Sequence, residues 1–302
     1  MKIVLHGQQA FGSAVLDSLI SNNENVIAVC SAPNKDNKKM DPLVENAIKN
    51  EIAVYQPESW KTEDAYDLMK SLDADLCIMA YVLLIVPSRI LDLPKYGSIQ
   101  YHPSLLPNHR GPSSINWPIS MGSKTTGISI FWPDDGLDTG PILIQKQCDI
   151  DENETLGELY FNKLFPMGIQ AIEESIQLIK DGHAPRIIQN LEDGSYESWF
   201  GKSQAQIEWS KDIYEVHALI RAGDPQPGAW SILNGIEVKL YESMIFSNED
   251  SDPGRIYGVE ENLLIGTKNG ILSFNKIRSD GNKVMACDYC KDNNIQIGDY
   301  FK

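Results

Sequence analysis

The chain has 302 residues and a formal net charge of −16, with 42% hydrophobic and 23% charged residues. This length and composition suit a globular protein of two domains or one large one. None of the three successive thirds of the chain has a net positive charge, which disfavours nucleic acid as a partner.

In chain order, strand-like and helical patterns alternate through the first two thirds of the sequence. Short apolar runs predict strands at residues 1–7, 25–32, 75–82, 97–102, 126–133 and 141–150. Apolar residues at helical spacing, with end signals, predict helices at residues 11–22, 41–50 and 154–183. Strands separated by helices favour an α/β fold with a doubly wound, mostly parallel sheet.

The pattern changes after about residue 184. Residues 185–204 are polar and rich in turn formers, which predicts a linker. One helical stretch follows at 209–222, and short alternating runs punctuated by glycine then continue to the end. That spacing is typical of a small antiparallel barrel. We therefore predict a catalytic α/β domain at 1–184 and a barrel-like domain at 205–302.

The sequence shows no sign of a membrane or secretory destination. No apolar run approaches the ~20 residues that span a bilayer, and the start, MKIVLHGQQAFGS, lacks the regions of a signal peptide. Five scattered cysteines do not suggest a disulfide framework. The single Cys287-x-x-Cys290 pair has no second ligand pair, so we expect no metal site. A cytoplasmic protein is the expectation, with its oligomeric state left open.

Two segments carry the residues best suited to chemistry. In GSIQYHPSLLPNHRG, Gln100 and His102 are two residues apart on a predicted strand and project on the same side. In FWPDDGLDTGP, a predicted strand runs into a turn with Asp134, Asp135 and Asp138. Ligands of doubly wound sheets bind outside the carboxyl ends of strands. We expect both segments to leave their strands at that edge, as neighbours, with an amide, an imidazole and a carboxylate in one crevice.

These three groups suit direct acyl transfer. An imidazole moves protons near neutral pH, a carboxylate orients it, and an amide N–H donates to an oxyanion. The sequence has neither a G-x-S-x-G elbow nor a catalytic-cysteine signature, so nothing in it requires a covalent acyl-enzyme. The reaction would pass through a tetrahedral intermediate between two bound substrates.

The S-L-L-P-x-x-R-G and D-x-G-x-D-T-G motifs, with their spacing, resemble the formyltransferase family that uses 10-formyltetrahydrofolate. The likeness is strongest to the hydrolase domain of 10-formyltetrahydrofolate dehydrogenase, and methionyl-tRNA formyltransferase is a relative. It extends from the start of the chain to GDPQPGAW at 223–230. The resemblance implies a formyltransferase α/β domain followed by a small barrel.

The resemblance also implies roles for individual residues. The family's catalytic histidine and essential aspartate fall on His102 and Asp138. Where the transferases carry asparagine and the dehydrogenase hydrolase domains carry an aliphatic residue, this chain has Gln100. Residues that would bind the folate lie after the predicted strand at 75–82 and in the acidic turn: Leu84, Ile85, Val86, Asp134, Asp135, Gly136 and Leu137.

The resulting expectation is an enzyme that takes 10-formyltetrahydrofolate as its formyl donor. We place transfer to an amine of a small molecule first, because the sequence contains no dehydrogenase domain. Hydrolysis to formate and tetrahydrofolate is the alternative. Formylation of initiator methionyl-tRNA ranks third because the last third of the chain is acidic. A folate-binding regulatory protein without catalysis is the alternative from another class.

Overall fold

The structure, a computed structural model, describes residues 1–34 and 39–302. The chain forms two compact units, each built from three segments. The first unit comprises residues 1–110, 127–147 and 164–196, and the second comprises 111–126, 148–163 and 197–302. Four of the five crossings between the units fall within the first 164 residues. The domain boundaries predicted at 184 and 204 stay predictions.

A seven-stranded sheet forms the centre of the first unit, in the order β3-β2-β1-β4-β5-β6-β7. The strands are β1 (Lys2–Gly7), β2 (Asn25–Cys30), β3 (Ala53–Tyr55), β4 (Leu76–Ala80), β5 (Ser98–His102), β6 (Thr125–Phe131) and β7 (Ile142–Asp149). The first five strands pair in parallel, whereas β6 runs antiparallel to β5. All five residues of β4 are buried, as expected for a strand covered on both faces. The prediction of a mostly parallel α/β sheet is confirmed.

Helices α1 (Gln9–Ser21), α2 (Pro42–Lys49), α3 (Glu63–Ser71) and α4 (Ser88–Leu91) connect the parallel strands. Local sequence explains where they begin. Asp41 caps α2, since its side chain accepts the backbone N–H of Leu43 at 2.9 Å, and Pro42 occupies the first turn. Thr62 caps α3 in the same way through Ala65. Helix α2 lies within the 41–50 helix predicted from sequence.

The long helix predicted at 154–183 is interrupted. Helices α5 (Asn116–Ser120) and α6 (Leu156–Leu159) precede a π-helical turn at Tyr160–Leu164, and α7 runs from Phe165 to Lys180. Pro166 lies in the first turn of α7, where a proline's missing N–H does no harm, so a new helix begins here.

The second unit contains an antiparallel, curled sheet in the order β10-β11-β12-β9-β8, with one further strand pairing β12. Its strands are β8 (Ala229–Leu233), β9 (Ile236–Ser247), β10 (Ile256–Gly258), β11 (Leu263–Gly266), β12 (Ile271–Arg278) and β13 (Val284–Met285), and its helices include α8 (Ile213–Gly223) and α9 (Ala286–Asp292). Apolar residues of α8, α9 and the sheet form one buried cluster. The expected antiparallel C-terminal architecture is confirmed.

Two features are absent from the part of the chain that the structure describes. Across 1–34 and 39–302, no helix is both long and apolar enough to cross a membrane. The same described residues contain no cluster of three or more metal-ligating side chains.

Candidate active site

His102 ends β5 with its imidazole buried and its two ring nitrogens in different surroundings. Nε2 lies 3.0 Å from the backbone oxygen of His109. A carbonyl oxygen only accepts hydrogen bonds, so Nε2 carries the proton and donates it. His109 itself has a positive φ of 55°, which turns the chain after β5 back toward the imidazole. Nδ1 is therefore the ring nitrogen that remains able to accept a hydrogen bond or a proton.

Asp138 supplies a carboxylate to that nitrogen. Its Oδ2 lies 3.7 Å from Nδ1 of His102, and each side chain is only 7% exposed. This separation is longer than a hydrogen bond. The imidazole and carboxylate therefore face each other without a direct hydrogen bond, and a polar atom beside the pair, such as a water oxygen or an amine nitrogen, can hydrogen-bond to both.

The route by which Asp138 reaches His102 differs from the one expected from sequence. In the antiparallel β5–β6 pair, His102 is opposite Ser129 and Gln100 is opposite Phe131. The end of β6 therefore lies toward the start of β5, at the edge away from His102. The expectation that both segments leave strands at the same edge is wrong, because β6 runs the other way. The loop after β6 folds back to bring its carboxylate to the imidazole.

Local contacts fix the shape of that returning loop. The Asp134 side chain accepts the backbone N–H of Gly136 at 3.0 Å and the Thr139 hydroxyl at 2.7 Å. A Cβ atom at Gly140 would lie 1.8 Å from the backbone oxygen of Trp132, so only glycine allows this approach. Asp138 lies between Gly136 and Gly140 in the chain and has a φ of 56°, in the left-handed region. The turn residues Asp134 and Gly136 thus shape the loop that carries Asp138.

Gln100 lies in β5 between Met79 of β4 and Phe131 of β6, two residues before His102. It is half-buried, and among the described residues its side-chain amide has no hydrogen-bond partner. Because residues two apart on a strand share a face, the amide and the imidazole lie on the same side of the sheet. The structure thus leaves an amide donor available beside His102.

The two segments predicted to bind folate meet each other. In the loop after β4, Leu84 and Val86 pack on the core, whereas Ile85 is 72% exposed. In the acidic turn, Leu137 is also exposed, at 54%. The Ser88 hydroxyl donates a hydrogen bond to Asp135 and so joins the two loops. Two exposed apolar side chains on tethered loops offer a surface for a flat heterocycle.

Sequence reasoning missed a stretch that supports both halves of the site, residues 187–196, which we call the strap. Ile187 exchanges two backbone hydrogen bonds with Ile142, at 2.8 and 2.9 Å, and so fixes the start of the strap on β7. The Ser195 hydroxyl accepts the backbone N–H of His109 at 2.9 Å. The Gln189 amide donates to the backbone oxygens of Asp138 and Gly140. No periodicity or motif in the predicted linker marks these two residues.

A cavity of about 440 Å³ lies elsewhere in the first unit. It is lined by residues that include Lys95, Trp132 and Arg186, and by none of the residues predicted to act in catalysis or folate binding. The Arg186 guanidinium stacks 4.0 Å from the centre of the Trp132 ring. Its position near the start of β5 separates it from the His102–Asp138 pair.

Comparison with known proteins identifies the class of this fold. Residues 1–172 match the model for formyl transferase, and residues 200–294 match the model for the formyl transferase C-terminal domain. The chain belongs to the formyltransferase family.

Two kinds of relative within this family are similar to the chain over most of its length. The chain is 41% identical, over 281 residues, to human mitochondrial 10-formyltetrahydrofolate dehydrogenase, covering 91% of this chain and 30% of that protein. It is 34% identical to methionyl-tRNA formyltransferase of Clostridioides difficile (strain 630), covering 99% of both. The chain thus spans under a third of the length of that dehydrogenase and nearly all of the transferase.

A solved structure supports the fold. HypX from Aquifex aeolicus in complex with tetrahydrofolic acid superposes with a TM-score of 0.68 at 17% identity, covering 100% of this chain and 50% of that one. At this level of identity the likeness concerns the fold alone.

Proposed function

We propose that this protein binds 10-formyltetrahydrofolate in its first unit and transfers the formyl group to an amine of a small molecule. The observation that carries the proposal is the buried pair of His102 Nδ1 and Asp138 Oδ2, 3.7 Å apart. Family membership supports a formyl donor, and the tethered apolar loops after β4 and β6 support a site for the pterin ring. The two loops lie in the same unit as His102 and Asp138.

The pair of His102 and Asp138 suits a nucleophile that carries its own protons. An amine or water beside the pair donates one hydrogen bond to Nδ1 and another to the carboxylate. As its nitrogen or oxygen attacks the formyl carbon, Nδ1 takes the proton that the nucleophile loses. The carboxylate stabilises the imidazolium that forms.

The tetrahedral intermediate then collapses. Its oxyanion, derived from the formyl oxygen, accepts a hydrogen bond from the free amide of Gln100. The bond from the formyl carbon to N10 of the folate breaks, and N10 receives the proton held by His102. The products are a formamide and tetrahydrofolate, so atoms and charge balance without another reactant.

Hydrolysis is the second candidate, and two observations favour it. The chain is 41% identical to a 10-formyltetrahydrofolate dehydrogenase, and Gln100 departs from the asparagine that the family resemblance implies for transferases. Water in the same position beside the pair would give formate and tetrahydrofolate by the same proton path.

Methionyl-tRNA is a third possible acceptor, supported by the nearly complete overlap with a methionyl-tRNA formyltransferase. The charge of −16 opposes it, because tRNA binding relies on neutralising phosphates with basic side chains. We therefore rank it below the two small acceptors.

A labelled formyl group separates the three acceptors. The protein is incubated with 10-formyltetrahydrofolate carrying ¹³C in the formyl group, first alone, then with a panel of amino sugars and amino acids, then with initiator methionyl-tRNA. The proposal expects label in a formamide that appears only with a particular amine. Label in formate at the same rate under all three conditions would support hydrolysis, and label on the tRNA at low salt would move that acceptor to first place.

A further inference from the structure

We infer that Gln189 is a positioning residue that holds the Asp138 carboxylate at its working distance from His102. The inference rests on the proposed function, because it assigns Asp138 a part in the reaction. Gln189 lies in the strap, outside both sequence motifs. Its side chain donates hydrogen bonds to backbone oxygens of the loop that carries Asp138.

The contacts of Gln189 are specific for an amide. Its Nε2 lies 3.0 Å from the backbone oxygen of Asp138 and 2.6 Å from that of Gly140. Both oxygens only accept, so the two N–H groups of one NH₂ must face them. Among neutral side chains, only glutamine and asparagine present two donors from one terminal nitrogen.

The oxygen of the same amide has no hydrogen-bond partner in the part of the chain that the structure describes, which makes this arrangement energetically unfavourable at that atom. Gln189 is 8% exposed, and its Oε1 is buried with no hydrogen-bond partner among the described residues. A buried polar atom without a partner is destabilising. Reversing the amide would place Oε1 against two carbonyl oxygens, which is worse. In the observed orientation, Gln189 thus leaves its Oε1 without a hydrogen bond from any described residue, while both of its N–H groups donate to the loop that carries Asp138.

The backbone that receives these donors needs support. Asp138 has a φ of 56°, a conformation that non-glycine residues adopt at an energetic cost and keep only when their surroundings fix it. Gln189 bridges the carbonyls on either side of Thr139, so it ties Asp138 to Gly140 and limits rotation between them. A carboxylate that must sit 3.7 Å from Nδ1 depends on that restraint.

The test uses the full chain and replaces Gln189 by leucine, which has a similar volume and no donor. A displacement near 1 Å at a reacting group costs roughly 10²-fold in rate, so kcat for deformylation should fall by about 10- to 100-fold. The Kd for tetrahydrofolate should change little, because the apolar loop surfaces remain. Gln177→Leu, at an exposed site on α7, is the matched control and should retain the wild-type kcat.

A double-mutant cycle distinguishes positioning from general loss of stability. If Gln189 acts through Asp138, adding Gln189→Leu to Asp138→Ala should not lower the residual turnover further. An equal loss in both backgrounds would overturn the inference, and so would a wild-type kcat in Gln189→Leu. If the wild-type protein does not deformylate the folate at all, the proposed function fails first.

Gln189→Glu provides a second readout if the leucine variant does not fold. A glutamic acid keeps the length of glutamine and donates a hydrogen bond only when protonated. The kcat ratio of this variant to wild type should therefore rise as the pH is lowered toward ~4.3, the ordinary pKa of glutamic acid. A ratio independent of pH would overturn the inference.

Discussion

His102 and Asp138 meet through Nδ1 and Oδ2 at 3.7 Å, while Nε2 of the same imidazole is held 3.0 Å from the His109 carbonyl oxygen. One ring nitrogen is therefore committed to the backbone, and the other faces a carboxylate across a gap. In the proposed reaction, the nucleophile binds beside this nitrogen and the carboxylate. The arrangement also explains why a loop must return from the far end of β6 to complete the site.

Removing either member of this pair should abolish most of the activity. We expect His102→Ala and Asp138→Ala each to lower kcat for tetrahydrofolate formation by ~10²–10⁴-fold, the usual contribution of a general acid–base group. Because the two act as one unit, the double variant should be scarcely slower than either single one. Activity of either variant within a few-fold of wild type would contradict the assignment. His183→Ala, at an exposed histidine, serves as the control.

Gln100 should contribute as an oxyanion donor. Removing such a donor typically costs ~10²–10³-fold in kcat, and a glutamine that must fold its longer side chain into place should give less than that. We therefore expect Gln100→Leu to lower kcat clearly. Gln100→Asn should shift the ratio of formamide to formate toward transfer. If both variants keep the wild-type rate and product ratio, hydrolysis by His102 and Asp138 with water becomes the better account.

Gly140→Ala tests the returning loop. The added Cβ would lie 1.8 Å from the Trp132 backbone oxygen, and a backbone atom does not move aside cheaply. Overpacking of this kind costs about 1–3 kcal/mol or more, so the midpoint of thermal unfolding should fall and activity should be lost. Gly201→Ala is the control, because its nearest contact would be an ordinary 3.6 Å to a side chain. Equal midpoints for the two variants would show that the loop adapts.

Acid should destabilise the second unit through His217. Burial lowers the pKa of His217 from 6.5 to about 4, with the nearby Arg221 charge as a second cause. The neutral ring suits its surroundings, since Nε2 donates to Asn153 at 3.1 Å and Nδ1 accepts from the Ser243 hydroxyl at 2.8 Å. As the pH falls below 6.5, His217 takes up a proton in the unfolded chain but stays neutral in the folded chain until the pH approaches 4. The free energy of unfolding is therefore highest above pH 6.5 and falls by about 3 kcal/mol as the pH is lowered toward 4.

The measurement is the free energy of unfolding by denaturant across that pH window. His217→Gln removes the titration and should flatten the curve relative to wild type, whereas His183→Gln, at an exposed position, should not. His6, whose pKa burial lowers to about 3, remains in both variants and contributes equally. Parallel curves for wild type and His217→Gln would contradict the prediction.

Much of the architecture follows from local sequence. The Asp41 cap with Pro42 fixes the start of α2, and the unbroken apolar run of β4 marks a strand buried on both faces. The residues of β6 did not predict its direction in the sheet, since an apolar run is compatible with both parallel and antiparallel pairing. The preceding connection did not reveal it either, because residues 103–124 contain only the short helix α5, and the parallel connection from β4 to β5 contains only the similarly short helix α4.

The site was predictable only in part. His102 and Asp138 lie in motifs whose residue types suggest chemistry, and their partnership was expected although the path between them was not. Gln189 and Ser195 lie in a polar, turn-rich stretch, where a buried glutamine looks the same as an exposed one. Their contacts depend on where the strap runs after α7, which is a property of the tertiary fold.

The most direct test of the whole account is the release of tetrahydrofolate from 10-formyltetrahydrofolate, followed for the wild-type protein and His102→Ala side by side, with and without an amine panel. We predict catalytic turnover by the wild type in the presence of an acceptor and only the uncatalysed rate with the variant, although both bind tetrahydrofolate with similar Kd. Equal rates for the two proteins under every condition would contradict the assignment of the His102–Asp138 pair as the centre that removes the formyl group.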